Sequence, residues 1–268
     1  MRRTFPLAFF LFLLFLAACA RQQGIDPAAV KAEFGNFAVA VVPAEDNLVA
    51  GSLLYKGWEI ARNSPLRDVS PGQASANPAL PECRHLKTEL FTGGANCCFG
   101  YYLLATCTGV DFAGYLEPYA GSIGDLAAVP AAAVAAYPAT DAAFLYYAPK
   151  DATGRELFSL SRPESPRPER FIVFDKGWRP DARGEFSAAY AAMAAAARQD
   201  KNIPQTARAI TAAYYDLMAG ENLKLVTRML QRALPKENVR HAAVILTDID
   251  NAIERFNPVV NLNLRTAL

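Results

Sequence analysis

Histidine is scarce in this chain, which has only His85 and His241 among its 268 residues. Only these two residues are therefore candidates for a histidine that acts as a general base or a metal ligand. Glycine-rich phosphate loops are missing too, because segment 92–96 (TGGAN) lacks the Lys-Ser/Thr of a P-loop and the third glycine of a dinucleotide-binding turn. We therefore expect a turn at 92–96, no cofactor and a non-catalytic role.

The chain also lacks an excess of either charge. It carries 27 basic and 26 acidic residues, and removing residues 1–18 takes away Arg2 and Arg3, which leaves 25 bases against the same 26 acids. Nucleic-acid binding and basic membrane-binding surfaces both need concentrated lysine and arginine. The near-neutral balance therefore predicts no nucleic-acid partner and no basic membrane-binding surface.

The first twenty residues, MRRTFPLAFFLFLLFLAACA, differ from the rest of the chain. Arg2 and Arg3 precede an apolar run over residues 5–16 that is short for a transmembrane helix, and small residues follow it. The string LAAC at positions 16–19 resembles the lipobox of bacterial lipoproteins. That resemblance implies a signal peptide over residues 1–18 and a lipid on Cys19, which anchors the protein to a membrane.

Two other interpretations of this segment stay open, namely an ordinary signal peptide cut after Ala20 and an uncleaved anchor helix. Ala20 stands where an aspartate would be expected to hold a lipoprotein at the inner membrane. By the same resemblance we expect an outer-membrane protein that faces the periplasm.

Four further cysteines, Cys83, Cys97, Cys98 and Cys107, lie within a short stretch. In an oxidising compartment an even number of clustered cysteines predicts two disulfides. A bridge between the adjacent Cys97 and Cys98 would be strained, so we expect each to pair outward with Cys83 or Cys107. The competing interpretations are free thiols and a metal site that includes His85, although the ligand spacing typical of zinc sites is missing.

The patterns predict an α+β protein. After the signal peptide we expect a lipidated tether over 19–35, with a helical turn that Asp26 caps. An α/β domain follows over 36–178, with a disulfide-stapled insertion at 63–107, and a helical region occupies 179–268. The 250 residues left after residue 18 are enough to bury a core without a metal.

Within these regions, apolar runs and their periodicity predict individual elements. The expected strands cover 37–43, 99–107, 142–147, 155–160 and 170–174. The expected helices cover 50–62, 123–137, 182–199, 205–219, 222–234 and 237–256, and 257–264 is an edge strand or a docked tail. Trp58 is expected in the core.

The lipobox, the short tether and the strand FAVAVVP at 37–43 are together similar to the opening of curli-secretion-like periplasmic accessory lipoproteins. Val129-Pro130, Val134 and the segment DAAFLYY at 141–147 resemble a helix that leads into a central strand in that group. The resemblance implies an α/β envelope module. The cysteine-bearing insertion and the helical tail depart from its pattern.

Three functional hypotheses follow. The first is an accessory protein that binds another envelope protein, and the second is a binding protein for a small ligand or glycan, with a cleft lined by aromatic and polar groups. The third is a hydrolase, which requires an acid, a base and a nucleophile to converge near Asp175, Asp111 or His85. The tyrosine pairs 101–102, 146–147 and 214–215 are each expected to turn one ring outward, and Asp248 and Asp250 are expected on different faces of their helix.

Overall fold

The computed structural model describes residues 25–93, 99–117 and 122–264. The predictions for the signal peptide, Cys19, Cys97 and Cys98 lie outside these residues. The described chain is α+β, with antiparallel sheets in its first part and helices in its second. The predicted fold class is therefore confirmed.

The described residues form fourteen strands and four α-helices. The strands are β1 Val30–Phe34, β2 Phe37–Pro43, β3 Val49–Tyr55, β4 Trp58–Leu66, β5 Asp68–Pro71, β6 Ser75–Ala76, β7 Arg84–Phe91, β8 Phe99–Cys107, β9 Val110–Leu116, β10 Ala127–Ala128, β11 Ala135–Thr140, β12 Glu169–Phe174, β13 Trp178–Pro180 and β14 Val259–Asn261. The helices are α1 Ser187–Gln199, α2 Gln205–Met218, α3 Leu223–Ala233 and α4 Ala242–Arg255.

Three antiparallel sheets and the helices stack as successive layers. The first sheet has the order β1-β2-β3-β4, the second β14-β9-β8-β7-β5 with β6 also paired to β7, and the third β10-β11-β12-β13. Alternate residues of β8 enter different cores, with Tyr101 facing the third sheet and Tyr102 facing the first. Strand β12 likewise lies between the second sheet and the helices. Burial on both faces explains why these strands are continuous apolar runs.

The predicted helix over 50–62 is wrong, because this segment is the hairpin of β3 and β4. Lys56 and Gly57 form its two-residue turn with φ of 50° and 83°. Positive φ at both positions matches the right-handed twist of a hairpin. Trp58 follows the turn and is 43% exposed, so the prediction that it belongs to the core is also wrong.

The predicted insertion is part of the second sheet rather than a loop, since it contributes β5, β6, β7 and β8. Arg84 pairs with Thr106 in the β7–β8 register, which places Cys83 opposite Cys107. These two cysteines form a disulfide with a Cα–Cα distance of 4.1 Å. The expectation that each bonds to Cys97 or Cys98 is therefore wrong, and Cys83 and Cys107 are not available as metal ligands.

Two other predicted elements, in and directly after the first strands of the third sheet, are wrong. The segment predicted as the helix 123–137 contains β10, a turn at Ala131 with φ of 61°, and the start of β11. The segment predicted as the strand 142–147 holds a 3₁₀ turn, Ala142–Phe144. The helix and strand on which the later part of the curli-secretion-like resemblance depends are thus not formed. Residues 155–160 contribute only an isolated bridge, whereas the strand predicted over 170–174 is confirmed as β12.

The N-terminal prediction is confirmed only in part. The Asp26 carboxylate accepts a hydrogen bond from the Ala28 amide and caps a 3₁₀ turn, but the chain then extends as β1 instead of remaining a tether. The four C-terminal helices lie within their predicted ranges, although α1 begins at Ser187 rather than 182 and α4 at Ala242 rather than 237. The buried side chains of α4 include Leu246, Ile249 and Ile253.

Strand β14 is the predicted edge strand, and it completes the second sheet by pairing with β9. The Asn261 side chain accepts a hydrogen bond from the Trp178 amide at 2.8 Å and donates one to the Trp178 carbonyl at 2.7 Å. The amide of Asn261 thus acts as a peptide group that links β14 to β13. A Cβ on Gly114 would lie 2.6 Å from the Trp178 ring, so glycine lets the second and third sheets approach here.

Candidate functional site

A cleft of about 700 Å³ lies between the segment after β11 and the C-terminal half of α4. The size is typical of small-molecule sites. Its walls bring together residues that are far apart in sequence. They are Glu117, residues 141–148, Lys150, Asp248, Asn251, Ala252, Arg255, Phe256, Asn257 and Pro258.

Asp141 anchors one wall of the cleft. One of its oxygens accepts a hydrogen bond from the Ala143 amide at 2.9 Å, which caps the 3₁₀ turn, and the other accepts from the Tyr214 hydroxyl at 2.8 Å. Burial raises the pKa of this carboxyl group, against the lowering effect of these two hydrogen bonds. Because both oxygens are engaged and the residue is 4% exposed, Asp141 holds the wall in place and is not free to contact a ligand.

Tyr146 presents its ring at the opening of the cleft. Its φ is 54°, in the left-handed region that an aromatic residue rarely adopts, and it is 63% exposed. The next residue, Tyr147, is 6% exposed, and its amide donates to the Ser165 hydroxyl at 3.0 Å. The fixed Tyr147 therefore forces the neighbouring ring outward.

Asp248 lies across the cleft on α4. Its Oδ2 accepts a hydrogen bond from the Tyr147 hydroxyl at 2.8 Å. Burial raises the pKa of the Asp248 carboxyl, and the hydrogen bond from Tyr147 opposes that effect. The Asp248 carboxylate is half-buried, so it combines a fixed position with access from the cleft.

The Phe256 ring, in the same cleft, lies against a buried ionic network. The guanidinium of Arg170 is 4.6 Å from the Phe256 ring centroid and donates to the Ile253 carbonyl at 3.0 Å. Asp181 pairs with Arg170 at 2.8 Å and also accepts a hydrogen bond from Tyr190 on α1. This network joins the third sheet to α1 and α4 and makes the base of the cleft rigid.

The rim of the cleft carries both charges and two amides. Glu117, Lys150, Arg255 and Asn257 are exposed, and Asn251 is half-buried. Together they offer acceptors and donors without a dominant charge. An exposed aromatic face beside a carboxylate and amides suits a ligand that has an apolar face and several hydroxyl or amide groups, as a sugar does.

The residues suggested for a hydrolase do not form a site in the described structure. His85 is fully buried, its Nε2 lies 2.9 Å from the Asn77 side-chain nitrogen, and burial lowers its pKa to about 4. Asp111 accepts hydrogen bonds from Asn36 and Tyr55, whereas Asp175 is exposed after β12. No hydrogen bond or ion pair within the described ranges joins any two of His85, Asp111 and Asp175.

The other single-residue expectations have mixed outcomes. Asp248 and Asp250 do lie on different faces of α4. Asp248 accepts a hydrogen bond from Tyr147 in the cleft, whereas Asp250 forms an ion pair with Arg183. The expectation that one ring of each tyrosine pair points inward and the other outward holds only for the pair 146–147. Both tyrosines of the pairs 101–102 and 214–215 are buried. His241 is half-buried at the start of α4.

The sequence patterns do not predict this cleft. Tyr146 lies in the segment 142–147 that is predicted as a strand, Asp141 directly precedes that segment, and the sequence singles out Asp248 only together with Asp250. The usable local signal is Asp141, because an aspartate often accepts a hydrogen bond from the amide two residues later and so caps a turn.

Comparison with known protein families, with curated proteins and with solved structures found no match for this chain. In the described part of the chain, none of the helices has the length and apolar character needed to cross a membrane.

Proposed function

We propose that this protein is a lipid-anchored lipoprotein of the bacterial cell envelope that binds a sugar-like polar ligand in the cleft. The observation that carries the binding role is the exposed Tyr146 ring, held in a left-handed turn beside the half-buried Asp248 carboxylate. The role is one of recognition, without catalysis.

The geometry supports a sugar-like ligand in three ways. The Tyr146 ring offers an apolar face that fits the C–H face of a pyranose ring. Asp248 and the amides of Asn251 and Asn257 offer acceptors and donors for hydroxyl groups. The ionic network fixes the base of the cleft at Phe256, and the Tyr147 hydroxyl holds Asp248, so these parts of the cleft are ordered before the ligand arrives, which reduces the entropy lost on binding.

The proposed anchor is Cys19, and it would hold the start of the first sheet close to a membrane. Six residues separate Cys19 from Asp26, and a fully extended chain of that length reaches only about 20 Å. Residue 26 already caps the first described turn. The anchor would therefore limit how far β1 can move from the membrane surface.

We expect a Cys19→Ser variant to lose its lipid and to appear in the soluble fraction of the envelope. Serine has no thiol to accept the diacylglycerol. Fractionation and the intact mass of the purified protein would test this, with the native chain showing the mass of an acylated N-terminus. A Cys19→Ser product that remains membrane-bound with the same processing would contradict the anchor.

The ligand proposal predicts that Tyr146→Gly weakens binding about tenfold or more, as the loss of an aromatic contact at a binding centre does. Glycine accepts a φ of 54°, so the variant removes the ring and keeps the turn. Titration calorimetry with N-acetylglucosamine oligosaccharides and soluble cell-wall fragments would measure the affinity. Trp58→Ala is the matched control, because Trp58 is exposed on a different surface.

The same two variants test a second candidate, an accessory protein that binds another envelope protein. The observation that favours it is Trp58, exposed beside a hairpin turn, since exposed tryptophans often dominate protein interfaces. Crosslinking on intact envelopes followed by purification would then yield a partner that Trp58→Ala loses and Tyr146→Gly retains. If native protein binds none of the oligosaccharides and Trp58→Ala alone fails in the crosslinking, the cleft proposal is wrong.

A further inference from the structure

Helix α3, Leu223–Ala233, has a face of one charge. Lys224, Arg228 and Arg232 follow one another at intervals of four residues, and all three are exposed. Each interval of four residues advances about 40° around a helix, so the three cations lie within a sector of about 80°. The opposite side of the helix carries the buried Val226 and Leu230.

The three cations have no partners of opposite charge in the described structure. No carboxylate of residues 25–93, 99–117 or 122–264 forms an ion pair with any of them, and α3 itself contains no acidic residue. Lys236 and Arg240 are exposed further along and extend the positive charge, against the single acid Glu237 between them.

One exposed leucine borders this basic face. Leu225, in the first turn of α3, is 37% exposed and lies about 20° beyond the sector that holds the cations. Leu223 is 49% exposed but lies about 100° from the sector, close to the side of the buried Leu230. A helix that rests in a lipid headgroup layer uses such an apolar side chain beside its cations for insertion.

We propose that this face of α3 docks on an anionic lipid surface. The cations would contact lipid phosphate groups, and Leu225 would enter the boundary between headgroups and acyl chains. Leu225 favours a lipid surface over a nucleic acid, which has no apolar layer to receive it. The near-neutral net charge of the whole chain does not indicate this basic face, because the three cations come together on one side only when the helix forms.

Residue-specific labelling on the full-length Cys19→Ser chain, which cannot attach to vesicles through a lipid on Cys19, tests the proposal directly. The modification rates of Lys224, Lys31 and Lys201 by an amine reagent would be followed by mass spectrometry. The vesicles would contain phosphatidylcholine alone or phosphatidylcholine mixed with phosphatidylglycerol. We expect Lys224 to be protected about tenfold on the mixed vesicles only, and salt to remove the protection. Lys31 and Lys201, exposed on other elements, should keep their rates and act as internal controls.

A double variant gives the second measurement. Arg228→Gln with Arg232→Gln keeps Lys224 as the reporter and should weaken its association with the mixed vesicles about 25-fold, at about fivefold for each cation. Lys31→Gln with Arg84→Gln makes the same change in net charge elsewhere and should leave the association unchanged. Equal loss in both double variants, or equal protection of Lys224 on both vesicles, would overturn the proposal. Stronger protection of Lys224 by duplex DNA than by the mixed vesicles would also overturn it.

Discussion

Replacing Asp181 by alanine should lower the free energy of unfolding by about 3–5 kcal/mol, because it leaves the guanidinium of Arg170 buried without its counter-ion. The side chains of Arg170 and Asp181 are 3% and 0% exposed. The substitution also removes the acceptor for the Tyr190 hydroxyl. Urea denaturation followed by circular dichroism would measure the loss.

The chain offers a matched control for this prediction. Asp250 pairs with Arg183 in the open, where the two side chains are 37% and 40% exposed. Exposed pairs contribute little, so Asp250→Ala should cost less than about 1 kcal/mol. If Asp181→Ala is too unstable to purify, the double variant Arg170→Met with Asp181→Leu should recover most of the stability, since it leaves no unpaired charge. Equal costs for Asp181→Ala and Asp250→Ala would contradict the assigned role of the buried pair.

The stability of the protein should rise between about pH 4 and pH 6.5 through His85. Burial lowers the pKa of His85 from its ordinary 6.5 to about 4. In this window the unfolded chain binds a proton at His85 and the folded chain does not, so the contribution is lost as the pH falls. The difference corresponds to about 3 kcal/mol at neutral pH relative to pH 4.

A His85→Gln variant isolates that contribution, because glutamine does not titrate and can still bond to Asn77. Denaturation curves at several pH values should be flatter for the variant than for the native chain between pH 4 and pH 6.5. Parallel pH profiles for the two proteins would show that His85 does not titrate as its environment indicates.

Local patterns predicted some elements well because burial produced those patterns. Strands β2 and β8 begin and end as predicted, since each is an apolar run bounded by turn residues. The helices were predicted from an apolar stripe, which a helix needs in order to pack on one side. Where burial depends on contacts between segments far apart in the sequence, local patterns predict the elements less well.

The errors have a physical cause as well. The apolar residues of 50–62 fit helical spacing, but the two-residue turn at Lys56 and Gly57 folds them into a hairpin. The alanines of 123–137 favour a helix by propensity, yet Ala127 and Ala128 pair with β11, and Ala136 of β11 also pairs with Val173 of β12. Intrinsic preference is overruled in both cases by pairing with a neighbouring strand.

The cleft was beyond local patterns altogether. It depends on the approach of residues 141–150 to the end of α4, and no spacing within either segment records that approach. Asp141 and Tyr214 illustrate the point, since their hydrogen bond fixes one wall and joins a turn after β11 to α2. Residues of this kind are recognised only when the layers are assembled.

The position of β14 has a consequence for biosynthesis. Val259 pairs with Leu116, and Asn261 joins the same strand to Trp178. The edge of β9 therefore stays uncovered until β14, which follows all four helices in the sequence, has been synthesised. A chain that has not yet reached β14 would present that edge to other nascent copies, and exposed strand edges are the usual starting points of aggregation. Protection of this edge during synthesis thus depends on a segment that is far from β9 in the sequence.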